Sequence, residues 1–130
     1  MPLASRRDDD EYQTFLAYRP DASAVFERVE PVVNLREPGT GMLEAFLTDD
    51  GLSLYFNRTR NGVGDLYFSW RASIDEPFGA ATLLPDVNSL YDDRDPWSNL
   101  DSTRFFFSSD RRDGNGRDIY ATWSDVPPMQ

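Results

Sequence analysis

The chain contains no cysteine, no histidine and no lysine, and these absences exclude several classes of site. Without histidine or cysteine, it can form neither a Ser-His-Asp triad nor a zinc site of thiolates and imidazoles. Without lysine, it can form neither a Schiff base nor a phosphate-binding loop of the GK[ST] type. No stretch approaches the roughly 18 consecutive apolar residues of a membrane span, so we expect no membrane insertion.

The charge is strongly one-sided. The 130 residues carry 23 Asp and Glu against 13 Arg, a formal net charge of −10. Nucleic-acid binders usually carry a clustered basic face, so the balance argues against a nucleic-acid partner. Residues 1–10 are polar and predict a disordered acidic tail. They lack the apolar core of a signal peptide, and the absence of cysteine leaves the compartment open.

Short runs of aromatic and β-branched residues, separated by Asp-Gly and Asn-Gly turn signals, predict an all-β fold. The predicted strands are Tyr12–Tyr18, Ala45–Thr48, Ser53–Phe56, Asp65–Trp70, Arg104–Ser108 and Asp118–Trp123. The best helical candidate is Val25–Val33, but Pro31 and the β-branched residues in it weigh against a helix.

An internal repeat is the strongest signal in the chain. A shift of 51 positions places Glu44–Arg60 on Asp95–Arg111, and a shift of 53 places Asp65–Trp70 on Asp118–Trp123. The shift grows inside a glycine-rich loop, where insertions are tolerated. A third, partial copy lies in front, since a shift of 52 places Phe15 on the middle copy's Tyr67.

The repeat unit indicates a β-propeller blade. Each full copy has a strand, an Asp-Gly-type turn, a second strand, a glycine-rich hairpin, a third strand and a longer arm to a fourth. A period near 50 with four antiparallel strands is typical of propeller blades. Residues 11–130 then form a repeat region with a partial blade at 11–40, a full blade at 44–88 and a partial blade at 95–123. Nine strands amount to about two and a quarter blades, which is an incomplete propeller.

The two fuller copies resemble the bacterial TolB-like, WD-repeat-like β-propeller repeats. Ser102 stands where that pattern has glycine, and Glu44 with Ala45 stands where it has an acidic residue and proline. The resemblance implies a propeller blade, periplasmic or extracellular placement and no single activity. The matching motif residues are Asp50, Gly51, Arg60, Asp65 and Tyr67 in the middle copy, and Asp101, Arg111, Asp118 and Tyr120 in the last copy.

Two sets of charged residues are candidates for sites. Arg60 with Asp65, and Arg111 with Asp118, recur across the hairpin, and we interpret them as structural arginine–carboxylate clamps in preference to ligand-binding pairs. A calcium site is the alternative to ordinary turn chemistry for one oxygen-rich loop. Its residues are Asp110, Asp113, Asn115 and Asp118.

The carboxylates and aromatic residues favour structure over catalysis. Glycoside hydrolysis needs two carboxylates about 5–10 Å apart. Glu44 and Asp95 occupy equivalent repeat positions, and Asp49, Asp50, Asp92 and Asp93 are typical of turns and loops, so we expect no catalytic residues and no cofactor. An aromatic sugar-binding platform is possible chemistry, but we expect packing between blades for Trp70, Trp97, Trp123 and Phe105–Phe107.

Together these patterns predict a non-catalytic propeller module that binds a protein or another ligand. It would be a fragment of a larger bacterial envelope or exported protein, whose remaining blades are the nearest partner. Two alternatives stay open. One is the accessory or gating propeller of a peptidase or glycosidase with catalytic residues outside this chain, and the other is a small lectin-like homo-oligomer.

Overall fold

The structure, a computed structural model, describes residues 1–6, 12–101 and 103–123. Those ranges contain ten β-strands, one 3-10 turn at Val33–Leu35 and no α-helix. No helix in them is long and apolar enough to cross a membrane. The strands are β1 (Pro2–Arg6), β2 (Tyr12–Tyr18), β3 (Arg28–Pro31), β4 (Gly41–Leu47), β5 (Ser53–Arg60), β6 (Val63–Trp70), β7 (Thr82–Leu83), β8 (Asp93–Ser98), β9 (Arg104–Ser109) and β10 (Asp118–Trp123).

The strands form three antiparallel sheets, which confirms the predicted all-β, antiparallel class. The N-terminal sheet has the order β1-β2-β3, the middle sheet β4-β5-β6-β7, and the C-terminal sheet β10-β9-β8. Each sheet is a meander of sequence neighbours, with longer connections between β2 and β3 and between β6 and β7. The middle sheet begins at Gly41 and the C-terminal sheet at Asp93, a few residues before the predicted bounds of 44 and 95.

The N-terminus differs from the disordered tail predicted over residues 1–10. Its first part is strand β1, which pairs with β2 from Pro2 opposite Leu16 to Arg6 opposite Tyr12. The ladder satisfies backbone groups that a free tail would leave to water. Residues 7–10 lie outside the described ranges, and the strand count rises from the predicted nine to ten.

The hairpin between β5 and β6 is tighter than the loop that the glycine pattern predicts. Only Asn61 and Gly62 form the turn, with φ of 52° and 80°, so both strands extend to the pair Arg60–Val63. Two consecutive left-handed residues make the type I′ turn that matches the twist of a β-ribbon. The Val25–Val33 segment contains strand β3, because Pro31 and its neighbours form an edge strand more readily than a helix.

The three sheets share one pairing register under the repeat shifts. The N-terminal sheet therefore corresponds to strands two to four of the middle sheet, and the C-terminal sheet to strands one to three. Within the described ranges, the N-terminal sheet has no counterpart of β4, and the C-terminal sheet has none of β7. The equivalent cross-strand pairs are Phe46–Tyr55 with Trp97–Phe106, Phe56–Tyr67 with Phe107–Tyr120, and Phe15–Pro31 with Tyr67–Leu83.

The sheets pack against one another in chain order. Strand β4 contacts β1 and β2 of the N-terminal sheet, and β8 contacts β4, β5 and β6 of the middle sheet. Alternation along β5 sends Leu54 and Phe56 into the first core, while Tyr55 lies 5.1 Å from Phe105 on the other side. The first core comprises Leu16, Val32, Leu35, Met42, Leu54, Phe56 and Phe78, and the second comprises Leu66, Val87 and Phe107.

Candidate functional site

The aspartates of the Asp-Gly motif are turn residues. Asp50 accepts hydrogen bonds from the Thr48 hydroxyl at 2.6 Å and the Leu52 amide at 3.0 Å, and Gly51 has a φ of 74°. The hydroxyl bond, followed by the amide bond, lowers the pKa of Asp50. Asp50 therefore stabilises a turn, and its carboxylate already accepts two hydrogen bonds.

The last copy repeats this turn chemistry. Asp101 accepts hydrogen bonds from the Thr103 hydroxyl at 2.6 Å and from the Thr103 amide at 3.1 Å, and these bonds lower its pKa. Ser102, which replaces the turn glycine of the pattern, lies outside the described residues.

The predicted Arg60–Asp65 and Arg111–Asp118 pairs are wrong. The nearest carboxylate to Arg60 is that of Glu37, 3.8 Å away, and Arg111 lies 2.9 Å from Asp93. Asp118 lies 3.5 Å from Arg112. Glu37 and Asp93, the carboxylates beside Arg60 and Arg111, lie outside the two hairpins. Spacing within a hairpin could therefore not predict these ion pairs.

A different arginine clamp stabilises the middle sheet. The Arg58 guanidinium lies 4.6 Å from the ring centre of Tyr67 and 5.6 Å from that of Phe56. It also donates to the Leu35 carbonyl and lies 3.7 Å from Glu37. The side chain thus joins an aromatic pair on two strands to the segment that precedes the sheet.

The C-terminal sheet has the same clamp. Arg111 lies 4.9 Å from the ring centres of both Phe107 and Tyr120, and it donates to the Val87 carbonyl and to Asp93. The rings and the accepting carbonyl are repeat-equivalent to those of the middle sheet, but the arginine stands two positions later. Position-by-position alignment therefore misses the clamp.

Of two consecutive aspartates, Asp92 tethers the C-terminal sheet to the middle sheet, whereas Asp93 bonds to Ser89 and Arg111. Asp92 accepts from the Gly64 amide at 2.7 Å, from Arg94 at 2.9 Å and from Arg117. Burial opposes ionisation of Asp92, but the Arg94, Gly64 and Arg117 bonds outweigh it and lower its pKa. Asp93 is fully buried and accepts from Arg111. The sequence presented both aspartates as loop residues, and only tertiary contacts show their role.

Glu44 and Asp95 occupy equivalent irregularities in β4 and β8. The register shifts between Met42 and Ala45 in β4, and there the Asn57 amide oxygen accepts from the backbone amide of Glu44 at 3.2 Å. In β8, Asp95 has a φ of 54° and accepts from the Ser108 hydroxyl at 2.6 Å. The shared position of the two acidic residues is thus a β-bulge that a neighbouring-strand side chain bridges.

Glu44 in β4 and Asp65 in β6 have carboxyl groups with raised pKa values. Burial, with Asp95 contributing, raises the pKa of Glu44, although Arg94 lies 3.8 Å away. Burial and then the charges of Asp93 and Asp92 raise the pKa of Asp65. Proximity to other carboxylates and partial desolvation are sufficient causes of both shifts.

The four calcium candidates contact separate partners. Asp110 accepts from the Asp92 amide at 2.9 Å, Asp113 accepts from the Asn115 amide at 3.0 Å, and Asp118 lies beside Arg112. Across residues 1–6, 12–101 and 103–123, no group of three or more acidic side chains is arranged to hold a metal ion. The loop oxygens make turn bonds without converging on a common point.

The prediction that the tryptophans fill the space between blades is wrong for two of them. Trp70 is 43% exposed and Trp123 is 67% exposed. Trp97 is 46% exposed, with its ring centre 5.3 Å from that of Phe106 and 6.0 Å from that of Phe46. The cores are filled by leucine, valine, methionine and phenylalanine instead.

A small apolar cleft lies between the middle and C-terminal sheets. It has a volume of about 180 Å³, and among the described residues Asp86 is the one charged side chain that lines it. Tyr55, Phe105 and Trp123 supply aromatic surface.

The outer face of the C-terminal sheet is the main unpartnered apolar surface of the repeat. Leu66 in the middle sheet is fully buried, whereas its equivalent Ile119 is 81% exposed. Opposite residues of an antiparallel ladder share a face. This surface, called the open face below, consists of Phe106, Ile119, Ala121 and Trp123, and of Trp97, whose ring also lies 6.0 Å from that of Phe46 in the middle sheet.

Comparisons with known proteins add no relative: the chain matches no family model, no curated protein and no solved structure. The functional inference therefore rests on the repeat and on the open face.

Proposed function

We propose that the chain is a non-catalytic β-propeller repeat module that binds other blades or a protein partner through its terminal sheet faces. The observation that carries this proposal is the contrast between Leu66, fully buried by the next sheet, and the equivalent Ile119, which is 81% exposed. An exposed apolar face whose repeat equivalent is buried by another sheet is a candidate docking surface.

The roles of the acidic residues support a binding module over an enzyme. Asp50 and Asp101 accept hydrogen bonds within their turns, Asp92 tethers one sheet to another, Asp93 accepts from Arg111, and Asp95 bridges a bulge. Carboxylates that are already bonded within the fold are poorly placed to act as a general acid and base. The resemblance to bacterial envelope repeats extends the proposal to a part of a larger envelope or exported protein.

Methyl NMR with a soluble paramagnetic relaxation agent tests this proposal on the dilute monomer. We expect strong broadening of the Ile119 methyl signals and little broadening of Leu66, because one side chain faces solvent and the other is buried. Nuclear Overhauser contacts between Tyr55 and Phe105 should show that the two sheets stack. An Ile119 as protected as Leu66 in the monomer would contradict the proposal, since another part of the chain would then occupy the docking surface.

A further inference from the structure

We propose that a second copy of this chain occupies the open face, so that two chains close head to tail into a ring of six sheets. This inference rests on the proposed function and names its partner. The open face of one chain would pack on the N-terminal sheet of the other, and the reverse contact would be identical.

The N-terminal sheet offers a matching apolar surface. Leu16 of β2 lies in the first core, so alternation places Phe15 and Ala17 on the side away from the middle sheet, where Phe15 is half-buried and Ala17 is 7% exposed. Their cross-strand partners are Pro31 and Val29, and Val29 is 56% exposed. These four uncharged residues are called the leading face below.

The same type of contact already occurs twice within the chain. The middle sheet presents Tyr67 and Ala81, the repeat equivalents of Phe15 and Val29, and both pack on the first core against the N-terminal sheet. The C-terminal sheet likewise packs Phe107 onto the middle sheet. Docking of the leading face on the open face would therefore continue an interface that the molecule builds internally.

Closure by two chains fits propeller geometry. A head-to-tail contact forms a ring when its rotation closes, and closed propellers have about 4–8 blades. Each chain supplies three sheets, so two chains supply six. The sheets pack face to face, so closure of the ring depends on the number of sheets. The terminal sheets have three strands each instead of four, and both still present the face that makes the contact.

The test is the mass of the chain by size-exclusion chromatography with light scattering over a range of concentrations. We expect a species of twice the 14.9 kDa chain mass. Ile119→Arg and Val29→Arg should each weaken association by more than about tenfold, because an unpaired charge would have to be buried. Leu90→Arg is the matched control, since Leu90 is 97% exposed in the loop before β8 and lies on neither face.

Mixing the two variants tests the head-to-tail geometry. Ile119→Arg keeps an intact leading face and Val29→Arg keeps an intact open face, so the mixture should form a dimer through one junction while each variant alone stays monomeric. If Val29→Arg alone dimerises as the original chain does, the open faces pair with each other, and the proposal is wrong.

A folded monomer at every concentration, with Ile119 still exposed, would overturn the second-copy inference and leave the docking module intact. An Ile119 that is buried in that monomer would overturn both proposals. Circular dichroism of each variant separates loss of association from loss of folding.

Discussion

Gly64 is constrained by a close approach of two segments, and the reason differs from the one its sequence context suggests. The hairpin pattern predicts a left-handed turn residue, yet the left-handed residues are Asn61 and Gly62, and Gly64 lies within β6. A Cβ atom there would lie 2.8 Å from the Asp93 carbonyl oxygen and 3.0 Å from the Asn57 amide nitrogen. The glycine lets the C-terminal sheet approach the middle sheet.

We expect Gly64→Ala to destabilise the fold by about 1–3 kcal/mol, the usual cost of overpacking a close contact. Gly116→Ala is the matched control, because no heavy atom lies within 4 Å of the Cβ that it would add. Urea denaturation measures both free energies of unfolding. Equal values for the two variants would show that β6 and the Asp92–Asp93 segment are not in contact in solution.

Asp65 is a charge that destabilises the folded state at neutral pH. Its raised pKa means that the folded state holds the proton more tightly than the unfolded state does. Stability contributed by this group therefore rises as the pH falls through the folded pKa and is complete below the unfolded value. At pH 7 the ionised carboxylate is repelled by the charges of Asp93 and Asp92 and has no ion-pair partner among the described residues.

We expect Asp65→Asn to stabilise the fold at pH 7 by up to about 0.5 kcal/mol, a small gain because solvent still screens the half-buried site. The gain should shrink toward acidic pH, where the original carboxyl becomes protonated and neutral. Thermal unfolding of both proteins at several pH values measures the difference. A gain that grows as the pH falls would reverse the sign assigned to this group.

Residue roles were predictable where the chemistry is local. Asp50 and Asp101 bond to residues within two positions, and the Asp-x-Thr and Asp-Gly patterns signal that turn. The roles of Asp92 and Arg58 depend on Gly64 and Leu35, which are distant in the chain, so spacing alone could not show them.

At the scale of elements, the register shifts in β4 and β8 are bridged by buried polar side chains of the strands that pair with them. The Asn57 side chain is fully buried, and its oxygen accepts from the Leu43 and Glu44 amides at 3.2 Å. A bulge removes ladder partners from the backbone, and this amide replaces them. Ser108, at the equivalent position of the C-terminal sheet, instead donates its hydroxyl to the side-chain carboxylate of Asp95 in the other bulge.

Asn57→Ala should cost about 1–3 kcal/mol, because it leaves two partly buried backbone amides without acceptors. Ser108→Ala, which removes a single bond, should cost about 1 kcal/mol. Hydrogen exchange provides a local readout: the Leu43 and Glu44 amides should exchange faster in the Asn57 variant. Unchanged exchange at both amides would mean that the bulge is held by other contacts.

Strand positions were predictable where pairing and alternation coincide. The bounds of Tyr12–Tyr18 and Asp118–Trp123 agree between sequence and structure, since both runs are rich in the aromatic and β-branched residues that favour strands. Strand β1 was missed because Pro2–Arg6 has no strand pattern of its own, and its ladder with β2 defines it. The stacking of sheets followed from no local signal.

On the scale of the whole molecule, the two cores are unequal. Seven buried apolar residues join the N-terminal and middle sheets, whereas three join the middle and C-terminal sheets. The C-terminal sheet also has one uncovered face and, in the described ranges, a free edge along β10. In a linear stack, local opening should begin at the sheet with the least buried surface.

We expect backbone amides of β9 to exchange with solvent faster than those of β5, by native-state hydrogen exchange on the monomeric Ile119→Arg variant. Strand β5 has two paired neighbours and packs on both cores, while β9 packs on the smaller core. Using the monomer removes any protection from association. Matching rates in the two strands would indicate that the three sheets open as one cooperative unit.

The placement of the three tryptophans determines what intrinsic fluorescence can report. Each indole is between 43% and 67% exposed, so the folded chain should emit much as a solvated indole does, and unfolding should change the emission only slightly. Trp97 and Trp123 differ from Trp70 in one respect, because both lie on the open face. A blue shift of the emission on raising the protein concentration would therefore be an optical signal of docking. Folding itself should change the tryptophan emission little, so it would not obscure that signal.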